Sequence, residues 1–189
     1  MASTFPTALD AFTNPTATSL LTSPNHAQQH SDLNDAVEAL EAKVAIGATV
    51  LGTYTSFTPT FSAGLTLGNA NVNTRYSQIN KVVNYYGHII LGTTSAVTGA
   101  IRINLPITAS SLYSGINGQP MGDLTLYDAS TGTWYKGEVI SIGSTTTTLT
   151  RVLVANGTFL TNMSETSATS PMTWTTSDQL LWNITYQAV

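Results

Sequence analysis

Few residues in this chain could do chemistry, and their spacing narrows the choice further. His26 and His30 stand four apart, so on a helix both rings face one side, one turn from each other. Two imidazoles so placed could hold Zn²⁺ or another transition metal, or an anion once protonated, and copies around an axis would form rings of them. The same pair also reads as polar layers that set register and strand number in a helical bundle. The register reading takes precedence. A metal at His26 and His30 is secondary to it, and no cofactor is expected.

Paired carboxylates are the next candidates. Asp128 and Glu138 could approach across a hairpin, with Asp123 nearby, and two such groups are what glycoside hydrolysis requires. A carboxylate at a turn start is also ordinary turn chemistry, and that reading is preferred for Asp128. His88 sits inside Tyr85-Tyr86-Gly87-His88-Ile89-Ile90, an apolar strand pattern that offers no Ser-His-Asp arrangement. With no cysteine there is no thiol nucleophile, thiolate metal site or disulfide. The chain therefore reads as a non-enzyme. Among the aromatic residues, Trp182 lies in a strand and reads as core. Trp134 and Trp174 are the candidate ligand contacts, because exposed indoles stack on sugar faces and anchor interfaces, and Trp174 in its loop is the better of the two.

The elements that must carry these residues follow from composition and period. The 189 residues are 42% hydrophobic and only 8% charged, about a third of the usual charged share. Threonine is the commonest residue, which suits pleated, half-exposed positions, while Gly and Asn supply turns. A net charge of −4 with six scattered basic residues argues against nucleic-acid binding. No basic, apolar leader opens the chain and no apolar run is long enough for a bilayer, so a protein made in the cytoplasm without export or membrane contact is expected. The Asn-x-Ser/Thr triplets at Asn156, Asn162 and Asn183 read as chance in a Thr-rich sequence.

Residues 1–23 form a proline-broken arm whose Phe5, Leu9, Phe12, Leu20 and Leu21 are too apolar for a free tail, so an extended attachment arm seated on a partner is expected. Ser23-Pro24 is a good helix start, and residues 24–46 read as a helix ending before Gly47. His26, His30, Leu33, Val37, Leu40 and Val44 recur at four-three-four-three-four spacing, a narrow coiled-coil seam of about three heptads. Its natural partner is the same stripe on another copy. From residue 47 to 189 the period changes to strands. Residues 71–79 and 82–91 form a hairpin about Asn80-Lys81. Residues 100–105, 122–127, 133–142, 148–155 and 180–186 are further strands, with a polar loop running to Pro171. The expected fold is mainly β: an antiparallel, jelly-roll-like β-sandwich behind an extended arm and one short coiled-coil helix.

Two stretches carry a family resemblance. Leu9-Asp10-Ala11-Phe12-Thr13-Asn14-Pro15-Thr16, Ser23-Pro24-Asn25-His26-Ala27-Gln28-Gln29-His30 and Asn34-Asp35-Ala36-Val37-Glu38-Ala39-Leu40-Glu41 resemble the N-terminal module of many tailed-bacteriophage virion proteins. Thr58-Pro59-Thr60, Leu67-Gly68-Asn69-Ala70, Arg75-Tyr76, Lys81-Val82-Val83 and Leu91-Gly92-Thr93-Thr94-Ser95 through Leu105-Pro106 are similar to a β-module of phage tail and head-surface proteins. The likeness covers roughly the first 100 residues and carries no catalytic motif. It implies a homotrimer on the outer surface of the virion. The N-terminal arm would attach to the major capsid protein or another virion protein, as in a capsid decoration or head-fibre protein, and the β domain would face outward. Val at a and Leu at d alone lean toward two strands, so the trimer rests on the resemblance. The alternative is a short tail fibre or receptor-binding protein that touches host surface glycans.

Overall fold

A computed structural model describes residues 26–44, 52–156 and 159–189. The arm residues Phe5, Leu9, Phe12, Leu20 and Leu21, and the expected helix start at Ser23-Pro24, lie outside them. The chain divides into two compact units, residues 1–53 and residues 54–189.

Within the first unit, one helix, α1, runs His26–Val44, inside the expected span. It is rich in Ala, Glu and Gln, good helix formers, and contains no Gly or Pro. Leu33, Val37 and Leu40 are 55%, 46% and 50% exposed, so about half of this apolar stripe is left uncovered among the described residues. Asp32, off that stripe, is buried and accepts a hydrogen bond from Gln28 at 2.8 Å. No described helix is long and apolar enough to cross a membrane.

The second unit is mainly β. Its strands are β1 Thr55–Ser56, β2 Phe61–Thr66, β3 Asn71–Ile79, β4 Val82–Ile90, β5 Ala96–Ile103, β6 Asn117–Asp128, β7 Thr133–Ile142, β8 Thr148–Asn156, β9 Phe159–Glu165 and β10 Gln179–Gln187. A short 3₁₀ turn, Ser111–Tyr113, precedes β6. Every pairing is antiparallel. Eight strands form one sheet in the order β1-β3-β4-β10-β6-β7-β8-β9, and β2 and β5 pair as a second, two-stranded sheet. The β3–β4 hairpin turns at Asn80-Lys81 as expected, with Asn80 at φ 53, a left-handed value that Asn tolerates better than most residues. Strand β9 was not expected. It lies in the stretch read as a polar loop, whose Ser, Thr and Asn masked a seven-residue strand.

Alternation places the core. Val83, Tyr85, Gly87 and Ile89 of β4, Leu180, Trp182, Ile184 and Tyr186 of β10, and Leu124 and Leu126 of β6 point to one face and are buried. Ile101 and Ile103 of β5 and Leu65 of β2 join the same core, so the small sheet covers that face of the large one. Trp182 pairs directly with Gly87, whose missing side chain leaves the space that the indole fills. Phe61 and Tyr85 meet the Trp182 ring edge-on at 6.4 and 5.5 Å.

Threonine does more here than line the surface. Thr148 and Thr150 on β8 are fully buried and donate hydroxyl hydrogen bonds to the Ile103 and Ile101 carbonyls, each at 3.1 Å. The Ile101 N–H donates in turn to the hydroxyl of buried Thr166, also at 3.1 Å. Side-chain hydroxyls thus satisfy β5 backbone groups that have no ladder partner on that side, where unpaired groups would be costly.

Candidate functional site

The opposite face of the eight-stranded sheet is left to solvent or to a partner, and the register aligns its side chains in rows. One row runs Ile90, Gln179, Tyr127, Trp134 across β4, β10, β6 and β7. The next runs His88, Leu181, Thr125, Lys136, and a third runs Arg75, Tyr86, Asn183, Asp123, Glu138, Arg151, Glu165. Neighbouring side chains in a row are separated by one strand spacing of about 4.8 Å.

Trp134 is 57% exposed and stacks at a tilt of 36° on Tyr127, centroid to centroid 4.5 Å. The polar groups beside them are held in place. His88 Nε2 and Gln179 Oε1 are 2.8 Å apart, and Lys136 Nζ donates to Thr125 Oγ1 at 2.8 Å. Across the sheet, the Arg75 guanidinium lies 4.7 Å from the Tyr54 ring centroid and 5.7 Å from that of Tyr86, a cation between two π faces. An aromatic pair flanked by fixed donors and acceptors can stack on an apolar face of a ligand and hydrogen-bond to its rim.

Trp174 is placed differently from its expectation as the more exposed contact. Its ring packs against the core and its indole N–H donates to the Ser167 carbonyl at 2.8 Å, which ties down the loop before β10. Trp182 is buried, as read from its strand.

The carboxylates do not assemble as a hydrolytic pair. Asp128 aligns with Thr133, whereas Glu138 aligns with Asp123, so five residues of strand, about 17 Å, separate Asp128 from Glu138. Asp128 closes its own turn, accepting from the Ser130 hydroxyl at 2.7 Å and from the Ser130 and Thr131 N–H groups at 2.9 and 3.2 Å. The Ser130 hydroxyl foremost holds its pKa below the ordinary carboxylate value. Asp123 and Glu138 do face each other on the open sheet, but Glu138 is countered by Arg151 at 3.6 Å. A depression of about 230 Å³ lined by Ser56, Phe57, Thr58, Val72, Asn73 and Thr74 contains no titratable side chain.

Among the described residues, no three of His, Asp and Glu converge as metal ligands. His26 and His30 do meet on α1, their Nε2 atoms 3.1 Å apart and their rings edge to face at 4.5 Å. Of the residues that sequence reasoning missed, Tyr127 and Arg75 lie on the outward parity of their strands. The available signal was alternation in their own strands: Asn71, Asn73, Arg75 against Val72, Thr74, Tyr76, and Asp123, Thr125, Tyr127 against Leu124, Leu126. Compared with protein-family models, with curated proteins and with solved structures, the chain matches none.

Proposed function

We propose that this chain is a non-enzymatic structural protein of a tailed-bacteriophage virion, a homotrimeric capsid decoration or head-fibre protein held to the shell by its N-terminal arm. The observation that carries the reading is the uncovered stripe of Leu33, Val37 and Leu40 on α1. About half of each of these side chains meets water in the single chain. Burying them against the same stripe on other copies is what heptad spacing provides. The helix then acts as a short parallel coiled-coil neck between an attachment arm and a β domain on the outer surface of the particle. The resemblance of the first 100 or so residues to virion surface proteins supports that placement. A two-layer arrangement, with the β2–β5 sheet closing over the core of the eight-stranded sheet, supports a β-sandwich. Its eight-plus-two division departs from the even split of a regular jelly roll.

The test is the place and copy number of the chain in purified particles, by quantitative mass spectrometry and antibody labelling. Hundreds of copies on the head support decoration, and absence from particles overturns the virion reading. A second reading, a short tail fibre or receptor-binding protein contacting host surface glycans, is favoured by the exposed Trp134 on Tyr127. A handful of copies at the tail tip, with saturable glycan binding lost in Trp134→Ala, would favour it over decoration.

A further inference from the structure

We propose that His26 and His30 form a bidentate site for a divalent late first-row transition metal, with Zn²⁺ and Ni²⁺ as the natural probes. Residues four apart lie one above the other on α1, and here both side chains bring the same ring atom, Nε2, together at 3.1 Å, with the rings edge to face. Metal–imidazole bonds are about 2.0–2.1 Å long, so two such nitrogens at adjacent positions of a metal are about 3.0 Å apart at a right angle and about 3.4 Å at the tetrahedral angle. The observed 3.1 Å falls between these values. The nitrogens therefore already stand at a chelating separation, a turn of each ring aims its lone pair at the metal, and the helix backbone has already met part of the ordering cost of the chelate.

The chemistry of the donors fits the same class. Two neutral imidazoles prefer borderline metals such as Zn²⁺ and Ni²⁺ over hard Mg²⁺ or Ca²⁺, which take oxygen ligands. Without metal, the 3.1 Å contact needs one ring to donate its Nε2–H to the bare Nε2 of the other. Binding frees both lone pairs by moving that proton to Nδ1, so it requires no redox step and no net loss of a proton from a neutral pair. Both residues are exposed in the single chain, so the remaining coordination positions are open to water or an anion there, and to the imidazoles of neighbouring copies where the seam is assembled. The two-ligand geometry belongs to one chain and does not depend on how many copies assemble.

The sequence supplies its own control, because the chain has three histidines and no cysteine. His88 is on β4 and engaged with Gln179. Untagged full-length protein stripped of metal would be titrated with Zn²⁺ and with Ni²⁺ by calorimetry, and helix signal would be followed on heating by circular dichroism. Saturable uptake is expected, weakened at least tenfold in both His26→Gln and His30→Gln and unchanged in His88→Gln. Metal should raise the thermal midpoint of the helix signal in the parent protein and leave it unmoved in the two helix variants. Glutamine keeps helix propensity close to that of the parent, so loss of uptake with an intact helix spectrum is attributable to the ligands. The assignment is overturned by an absence of saturable uptake, by uptake equal in the parent and both helix variants, or by uptake that follows His88.

Discussion

The balance between packing and polarity is sharpest at Tyr85 and Trp182. Both are buried, and neither the Tyr85 hydroxyl nor the Trp182 indole N–H has a hydrogen-bond partner among the described residues. Burial foremost, and then neighbouring Tyr186, pushes the Tyr85 hydroxyl well above the usual phenol range, and burial does the same to Tyr186 itself. A phenol whose pKa is raised on folding contributes stability that is present below the unfolded value near 10 and lost as pH climbs toward the folded one. Unfolding free energy should therefore fall above about pH 10. Tyr85→Phe should be neutral or stabilising at pH 7, because it removes a hydroxyl without orphaning a partner, and it should blunt the alkaline loss. Urea melts at pH 7 and pH 10.5 check both points, and destabilisation at pH 7 beyond about 1 kcal/mol would mean that the hydroxyl does have a partner. The partner of this pair is a glycine for steric reasons. At Gly87 a methyl group would meet the Trp182 ring, so Gly87→Ala should cost about 1–3 kcal/mol by forcing the indole off its site, read as a lower urea midpoint with little change in slope.

Among the elements, what was legible in the sequence depended on how the element is stabilised. Helix α1 could be read because its four-three spacing and good helix formers point the same way. The β3–β4 hairpin could be read because the Asn80-Lys81 turn and the alternating strands agree. Strand β9 was missed because its Thr161-Asn162 and Ser164-Glu165 read as loop, although it is the second half of a hairpin with β8 and Asn156-Gly157 in the sequence is an ordinary hairpin-turn signal. The roles of Thr148, Thr150 and Thr166 were hidden for a different reason. A hydroxyl that caps the backbone of a strand in another sheet leaves no local sequence mark. The candidate outer face was half legible: residue type marked Trp134 as a candidate contact, but only the register brings Tyr127 beneath it and sets Lys136 by Thr125. The exposed stripe of α1 carries its own prediction. Replacing Leu33 and Leu40 by Asp would place charges in any seam formed there and remove its apolar area. Sedimentation should then show a shift to monomer, while the thermal midpoint of the β domain stays within about 2 °C because no strand is touched. If the double variant keeps its oligomeric state, assembly does not run through α1.

For the whole molecule, the question is which unit holds the copies together. The β unit, residues 54–189, contains a continuous buried core of its own. An apolar core from strands β2, β4, β5, β6, β7, β8 and β10 closed by Phe57, Phe61 and Tyr135 is what an independently folding domain needs. Its outer face is a mixture: the Trp134–Tyr127 stack, the Arg75 cation–π contacts and the Glu138–Arg151 pair share their rows with Ile90 and Leu181 and with the polar or charged His88, Thr125, Lys136, Asp123 and Asn183. Such a face is too polar to act as an obligate interface, which is usually more apolar than the rest of the surface, although it could add contacts once copies are gathered. The stripe on α1 is apolar and narrow, and about three heptads are marginal alone. These two facts predict a division of labour. A chain beginning at Tyr54 should fold cooperatively, with a β-type circular dichroism spectrum and a thermal midpoint near that of the full chain, yet sediment as a monomer. The full chain should be oligomeric, with a dissociation midpoint that depends on protein concentration. Because only 8% of the residues are charged, that midpoint should shift little between low and high salt. An oligomer that survives removal of residues 1–53 would transfer the assembly function to the sheet face, and would make the Trp134 row an interface between copies instead of a surface for ligand.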